Sequence, residues 1–240
     1  MNIYYQKSLK FQDALKQYAW NIFKTYGREL VLRLEEYNLL QNKHNCIESS
    51  TALGFIMEEF LVSKLEMYTH CSDEEFIIDR FVGATTSESY DCFSNKNNMK
   101  YMVNVKSEKN GVANNGIAAI SQLYRNYCIE DPKIEKNFVI IKVKYSIQGE
   151  NDGDAFHKSK PRRIHIDDIE TYCLEEVDLS HEHKQDNRSW SATTDGKSKR
   201  NNGRLQISKS FRDTHKVQSK NISYKNTFNM LTKIVTQNKK

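Results

Sequence analysis

The stretch KNFVIIKVKYSI, residues 136 to 147, narrows the folds open to this chain more than any other. It starts with four consecutive apolar residues, Phe138 to Ile141, and then alternates through Val143, Tyr145 and Ile147. A continuous apolar start followed by period-two alternation is the strongest strand signal in the chain. Helical spacing surrounds it. Residues 8 to 42 carry Leu9, Leu15, Tyr18, Ala19, Ile22 and Phe23, then Leu30, Leu32, Leu34 and Leu39, and Gly27 is expected to separate two helices. In CIESSTALGFIMEEFLVSKLEMY, Ser49, Ser50 or Thr51 can cap a helix whose apolar stripe is Leu53, Met57, Phe60, Leu61 and Leu65.

EEFIIDRFVG predicts a short strand or helix end. NNGIAAISQLYRNYCI predicts a helix through Ile117, Ile120, Leu123, Tyr124 and Tyr127, with Asn114 or Asn115 as its cap. RRIHIDDIETYCL predicts a strand running into a short helix, with Asp167-Asp168 and Glu175-Glu176 on solvated faces or as acids at a helix start. Residues 180 to 204 lack periodicity and read as a long polar loop, RLQIS as a last strand and NTFNMLTKIV as a terminal helix. This order predicts an α/β (α+β) fold: a central mixed sheet of about four to five strands flanked by helices.

The segment SYDCFSNKNNMKYMVNVKSEKNG, residues 89 to 111, reads as a hairpin with a tight polar turn. Residues two apart on a strand share a face. Asn104 and Lys106 therefore share one face and Val103 and Val105 the other, and the pairing can bring Asp91 near them. Mg²⁺ enzymes that act on phosphodiesters need a few hard oxygen ligands converging on one phosphate. Asp91, the Val105 carbonyl and the Lys106 ammonium supply such a set, since a lysine can hold a nucleophilic water or offset charge growing on the phosphate.

Charge is distributed unevenly. From Lys184 to the end there are 14 Lys and Arg against three acids, Asp186, Asp195 and Asp213, while the preceding residues are net acidic. A basic last quarter on an acidic body points to a polyanion, most simply nucleic acid; a basic tail without a specific partner is the plainer alternative. The five cysteines are odd in number and widely spaced, as expected of reduced thiols. With no run of roughly 20 apolar residues and no secretory h-region, the expectation is a soluble, cytoplasmic protein without a membrane partner.

Asp91, a spacer of twelve residues and Asn104-Val105-Lys106 at the end of a hydrophobic strand resemble the core motif of PD-(D/E)xK nucleases, type II restriction endonucleases among them. GFIMEEFL resembles the Gly-x-x-x-Glu helix that often precedes that core. The resemblance spans roughly residues 50 to 145. It implies a restriction-endonuclease-like core and a Mg²⁺-dependent enzyme that hydrolyses phosphodiesters at a short site in double-stranded DNA. It further implies a homodimer, and a cognate DNA methyltransferase that acts on the same site but need not bind. By motif position, the resemblance matches Asp91 to the first acidic metal ligand, Lys106 to the lysine, and Glu58 or Glu59 to the helix glutamate, with Glu58 chosen because it lies four after Gly54. Two positions depart from the pattern. Tyr90 replaces proline, and Asn104 stands where Asp or Glu is expected, which brings an oxygen without a charge. Glu58, Glu59, Glu88 or Glu108 could supply the missing charge; alternatively the chain is an inactivated variant.

The division expected is residues 1–180 as N-terminal helices plus catalytic core, and 181–240 as a basic loop, strand and terminal helix for DNA contact within the same domain. Candidate DNA contacts are Asn114 and Asn115 at a helix start, and Arg188, Lys197, Lys199, Arg200, Arg204, Lys209 and Arg212 in the basic quarter. His181-Glu182-His183 reads as polar loop before metal clip. Two other functions fit the same features: a non-catalytic sequence-specific DNA-binding protein, and a repair or RNA-processing nuclease with the same core.

Overall fold

The central strand pair is parallel. Strand β4 (Met99–Lys109) lies beside β6 (Glu135–Gln148) in unbroken register from Met99↔Glu135 to Lys109↔Tyr145. The computed structural model describes residues 2–25, 27, 29–31, 50–81, 88–109, 116–148, 163–177, 204–206 and 222–237. Within these, β1 (Glu29–Val31), β2 (Asp79–Arg80), β3 (Cys92–Lys96) and β7 (Arg163–Cys173) complete a six-stranded sheet ordered β1-β7-β6-β4-β3-β2. Every pairing other than β4–β6 is antiparallel. The α+β class and the mixed sheet are those expected: four longer strands, with a two- and a three-residue strand added at the edges. The hairpin β3–β4 turns on Asn97 and Asn98, whose φ values of 51° and 60° match the two left-handed central residues of a type I′ turn.

Helices cover both faces, because side chains alternate across each strand. Tyr101, Val103 and Val105 of β4, with Val139, Ile141 and Val143 of β6, face helices α1 (Ile3–Thr25) and α2 (Ser50–Cys71). Phe11 of α1 stacks on Tyr101 at 4.3 Å between ring centres and meets Phe76 edge-on. Met57, Leu61 and Leu65, one stripe of α2, are buried there. Met102, Phe138, Ile140 and Tyr172 face the other way, towards helix α3 (Ile120–Tyr124), the π turn Arg125–Ile129 that continues it, and helix α4 (Tyr224–Gln237).

Three expectations are corrected. Residues 29–31, expected to lie in a second helix after Gly27, are instead the strand β1: Gly27 has φ +74°, and Leu30 pairs with Ile164 of β7. Leu32, Leu34 and Leu39 lie outside the described residues. The helix expected through Ile117 starts only at Ile120, with Ala119 as N-cap. Gly116–Ala119 form β5, paired with β8 (Arg204–Gln206) in a second, two-stranded sheet. A strand from far along the chain overrides the local helical spacing. Glu175 and Glu176 do not face solvent. They lie buried in a short 3₁₀ turn, Leu174–Glu176, where Glu175 accepts from Tyr127 Oη and Glu176 from Tyr5 Oη, Gln12 Nε2 and Cys173 N.

Cys71, Cys92, Cys128 and Cys173 form no disulfide. Among the described residues no helix is long and apolar enough to cross a membrane.

Candidate functional site

The sheet opens where β3 leaves β4. Their ladder ends at Cys92↔Val103, one step after which Asp91 N donates to Val103 O at 2.8 Å. Beyond that point the outward backbone groups of β4 have no strand partner among the described residues. Side-chain carboxylates take the place of the strand. Asp91 Oδ2 accepts from Val105 N at 2.7 Å. Glu58 Oε1, reaching across from α2, accepts from Ser107 N at 3.1 Å and Ser107 Oγ at 3.3 Å. The two acids thus cap successive donors on one strand edge. A residue's N–H and C=O leave an extended strand on the same side, so the Val105 carbonyl lies on this open edge as well.

Gly54 sets how closely α2 approaches. A Cβ at Gly54 would stand 2.5 Å from Ser107 Oγ, inside any permitted contact. Glu58 lies one helical turn further on and reaches the strand because of that approach. Gly54→Ala should turn the Ser107 hydroxyl, the free end of a short side chain, off Glu58. The loss of that hydrogen bond, about 1 kcal/mol, should nearly cancel the roughly 1 kcal/mol of helix propensity gained. Thermal unfolding of Gly54→Ala beside wild type measures this, and a melting point lowered by more than a few degrees would show that the strand itself must shift.

Burial governs the electrostatics here. It raises the pKa of Asp91, an effect opposed by the Lys106 charge and by the Val105 hydrogen bond. Glu58 is raised too, first by burial, with Lys106 opposing it and Asp91 adding repulsion. Two poorly solvated carboxylates therefore share the field of one lysine. The other acids near the strand end have partners elsewhere. Glu59 pairs with Arg80 at 2.7 Å, Glu88 with Arg125 at 2.7 Å, and Glu108 with the buried Lys142 at 3.0 Å.

Asn104 is 5% exposed, and its Nδ2 donates to Ser89 O at 3.1 Å. That contact fixes the amide's orientation, because a carbonyl can only accept. Asn104 Oδ1 is turned away from Ser89, buried and without a hydrogen-bond partner among the described residues. An Asp or Glu at this position would set an oxygen against the Ser89 carbonyl, so the backbone here favours the amide.

These groups fit a hard divalent cation. All the donors are oxygens, the two carboxylates repel each other, and a buried acceptor stands unused. Among the described residues no group of three or more His, Cys, Asp or Glu side chains is placed to hold a metal. The oxygens this edge offers are the Asp91 and Glu58 carboxylates, the Val105 carbonyl and the Asn104 amide.

Asp91, Asn104, Val105, Lys106 and Glu58 thus come together. Sequence reasoning missed Ser107, Ser89 and Asn126, which hold these residues; Ser107, a polar residue continuing the Val103-Val105 face, was the one local signal. Asn114, Asn115, Arg188, Lys197, Lys199, Arg200, Lys209 and Arg212 lie outside the described residues, as do His181, Glu182 and His183. Arg204 opens β8, opposite Ala119.

The sequence matches no protein-family model and no curated protein sequence. Among solved structures it is similar to NlaIV restriction endonuclease, with a TM-score of 0.38 and 14% identity, over 87% of this chain and 91% of that one. At that TM-score the likeness carries no weight for function, which rests on the residues of the strand edge.

Proposed function

We propose that the chain is a Mg²⁺-dependent endonuclease with a restriction-endonuclease-like core, hydrolysing phosphodiesters at a specific short site in duplex DNA as a type II restriction enzyme does. The observation that carries this reading is the pair of half-buried carboxylates, Asp91 and Glu58, on successive donors of one open strand edge, with Lys106 acting on both. Asp91, Glu58, Asn104 Oδ1 and the Val105 carbonyl would hold the metal. When bound, Mg²⁺ supplies positive charge for the phosphate and acidifies a coordinated water. Lys106 would orient the attacking water or offset charge building on the phosphate oxygens. Glu58 provides the second negative charge that the pattern's usual acid would have brought, from a helix instead of the strand. Asn104 contributes an oxygen and no charge.

The basic last quarter, including Arg188, Lys197, Lys199, Arg200, Arg204, Lys209 and Arg212, would follow the DNA backbone. Homodimerisation follows from the two-fold symmetry of duplex cleavage. In that setting a methyltransferase of the same specificity protects the host site without binding this chain.

Incubation of the full chain with a long duplex DNA, in MgCl₂ and in EDTA, tests the proposal. Discrete, reproducible fragments in MgCl₂ alone are expected, and their ends give the site and the stagger. Intact DNA with a retarded band in both conditions would overturn it in favour of a non-catalytic DNA-binding protein, and preferential cutting of structured RNA or flaps in favour of a processing or repair nuclease.

A further inference from the structure

The segment that delivers Asp91 to the strand edge is held from the opposite side, by a residue with no place in the motif. Asn126 sits in the π turn after α3 and is 1% exposed. Its Oδ1 accepts from Ser89 N at 3.3 Å and Ser89 Oγ at 2.6 Å. Its Nδ2 donates to Glu88 Oε2 at 2.6 Å and Glu130 Oε2 at 3.0 Å. Two donors and two acceptors are the full capacity of an amide. Each end also admits a single assignment, since carboxylates can only accept and a backbone N–H can only donate. Ser89 in turn offers its carbonyl to Asn104 Nδ2. One line of hydrogen bonds therefore runs from the π turn through Ser89 to Asn104, and Asp91 follows two residues later.

The π turn is itself anchored. Lys136, buried at the start of β6, donates from Nζ to the carbonyls of Tyr127, Glu130 and Asp131. Arg125 bridges Glu88 and Glu130 at 2.7 and 3.0 Å, closing the acids around Asn126. An extra residue per turn re-aims side chains in a helix, and here the re-aimed side chain is Asn126. Its hydrogen bonds join the backbone and hydroxyl of Ser89 to the carboxylates of Glu88 and Glu130.

We infer that Asn126 is a positioning residue of the metal site: through Ser89 it fixes both the direction of Asn104 Oδ1 and the entry of Asp91 onto the edge of β4. The inference rests on the nuclease reading for its consequence in catalysis, but the hydrogen-bonded line can be measured without it.

The test compares wild type with Asn126→Ala and with the milder Ser89→Ala, which keeps the backbone bond to Asn126 and serves if Asn126→Ala does not fold. Three readouts are taken: solvent exchange of the Asn104 side-chain amide by NMR, Mn²⁺ binding to the metal-free protein by calorimetry, and the Mg²⁺ concentration for half-maximal DNA cleavage. Positioning predicts faster Asn104 amide exchange. It also predicts weaker Mn²⁺ binding and a higher half-maximal Mg²⁺, each by about tenfold in Asn126→Ala and less in Ser89→Ala, the scale of loss when a partner of a metal ligand is removed. Cleavage by the variants should recover at saturating Mg²⁺. A folded variant with unchanged Asn104 exchange and unchanged Mn²⁺ affinity would overturn the inference. If wild type neither binds Mn²⁺ nor cuts DNA, the nuclease reading falls, and Asn104 exchange alone decides whether Asn126 holds this segment.

Discussion

In the proposed nuclease, replacing Lys106 with alanine, or Asp91 with asparagine, should lower the rate of metal-dependent duplex cleavage by about 10²- to 10³-fold while DNA binding in EDTA persists. That scale is the loss when one preorganised group is taken from a site where charge develops. Lys106 opposes the charge of both Asp91 and Glu58. Without it the two carboxylates hold more protons at neutral pH and compete less well for metal, so raising pH should restore part of the Lys106→Ala rate. Asp91→Asn keeps an oxygen for Val105 N and removes the charge, separating the metal role from the structural one. Single-turnover cleavage and a mobility-shift assay on the same preparations decide the matter. Cleavage at wild-type rate by either variant would remove that residue from the site.

Stability should fall between about pH 4.5 and 7, and Glu175→Gln should remove most of that dependence. Glu175 is fully enclosed, and burial pushes its pKa from 4.5 up to about 7. In this window the folded chain holds a proton that the unfolded chain has released. The contribution of Glu175 is therefore complete below pH 4.5, declines as the pH approaches 7, and is lost above it. The total is about 3 kcal/mol. The titratable groups facing Glu175 include Tyr4 from α1, Tyr127 from the π turn, Cys173 from β7, Tyr224 from α4 and its neighbour Glu176; burial pushes the three phenols and the thiol upward. Gln mimics the protonated acid and keeps an acceptor for Tyr127 Oη. Denaturant unfolding of both proteins at pH 5 and pH 8 measures the difference. Glu175→Gln should gain about 2.5 kcal/mol on wild type between those pH values, and parallel curves would show that Glu175 remains ionised throughout.

Local pattern made the central strands and two long helices legible. The run Phe138–Ile141 belongs to a strand buried on both faces, and the alternation Val103-Asn104-Val105-Lys106 sends the polar residues to the face predicted. The gathering of Asp91 and Lys106 followed from hairpin geometry, and the choice of Glu58 from the resemblance of GFIMEEFL to a Gly-x-x-x-Glu helix. What stayed hidden depends on distant partners. β5 exists because β8 arrives from residue 204, and Glu175 is buried because α1, the π turn and α4 close over it. Asn126 shows no local sign of its role, since a buried amide and a surface amide are the same letter. The reason Asn104 replaces an acid also emerged only from the Ser89 carbonyl opposite it.

The open edge of β4 has a second consequence. A strand whose neighbour departs midway offers bare donors to any other chain, which is how sheets grow from one molecule into the next. Here Asp91 and Glu58 occupy those donors with negative charge. The groups proposed to gather a metal also keep foreign strands away, so the chain cannot shed its acids to become a plain binding protein without uncovering a place to aggregate.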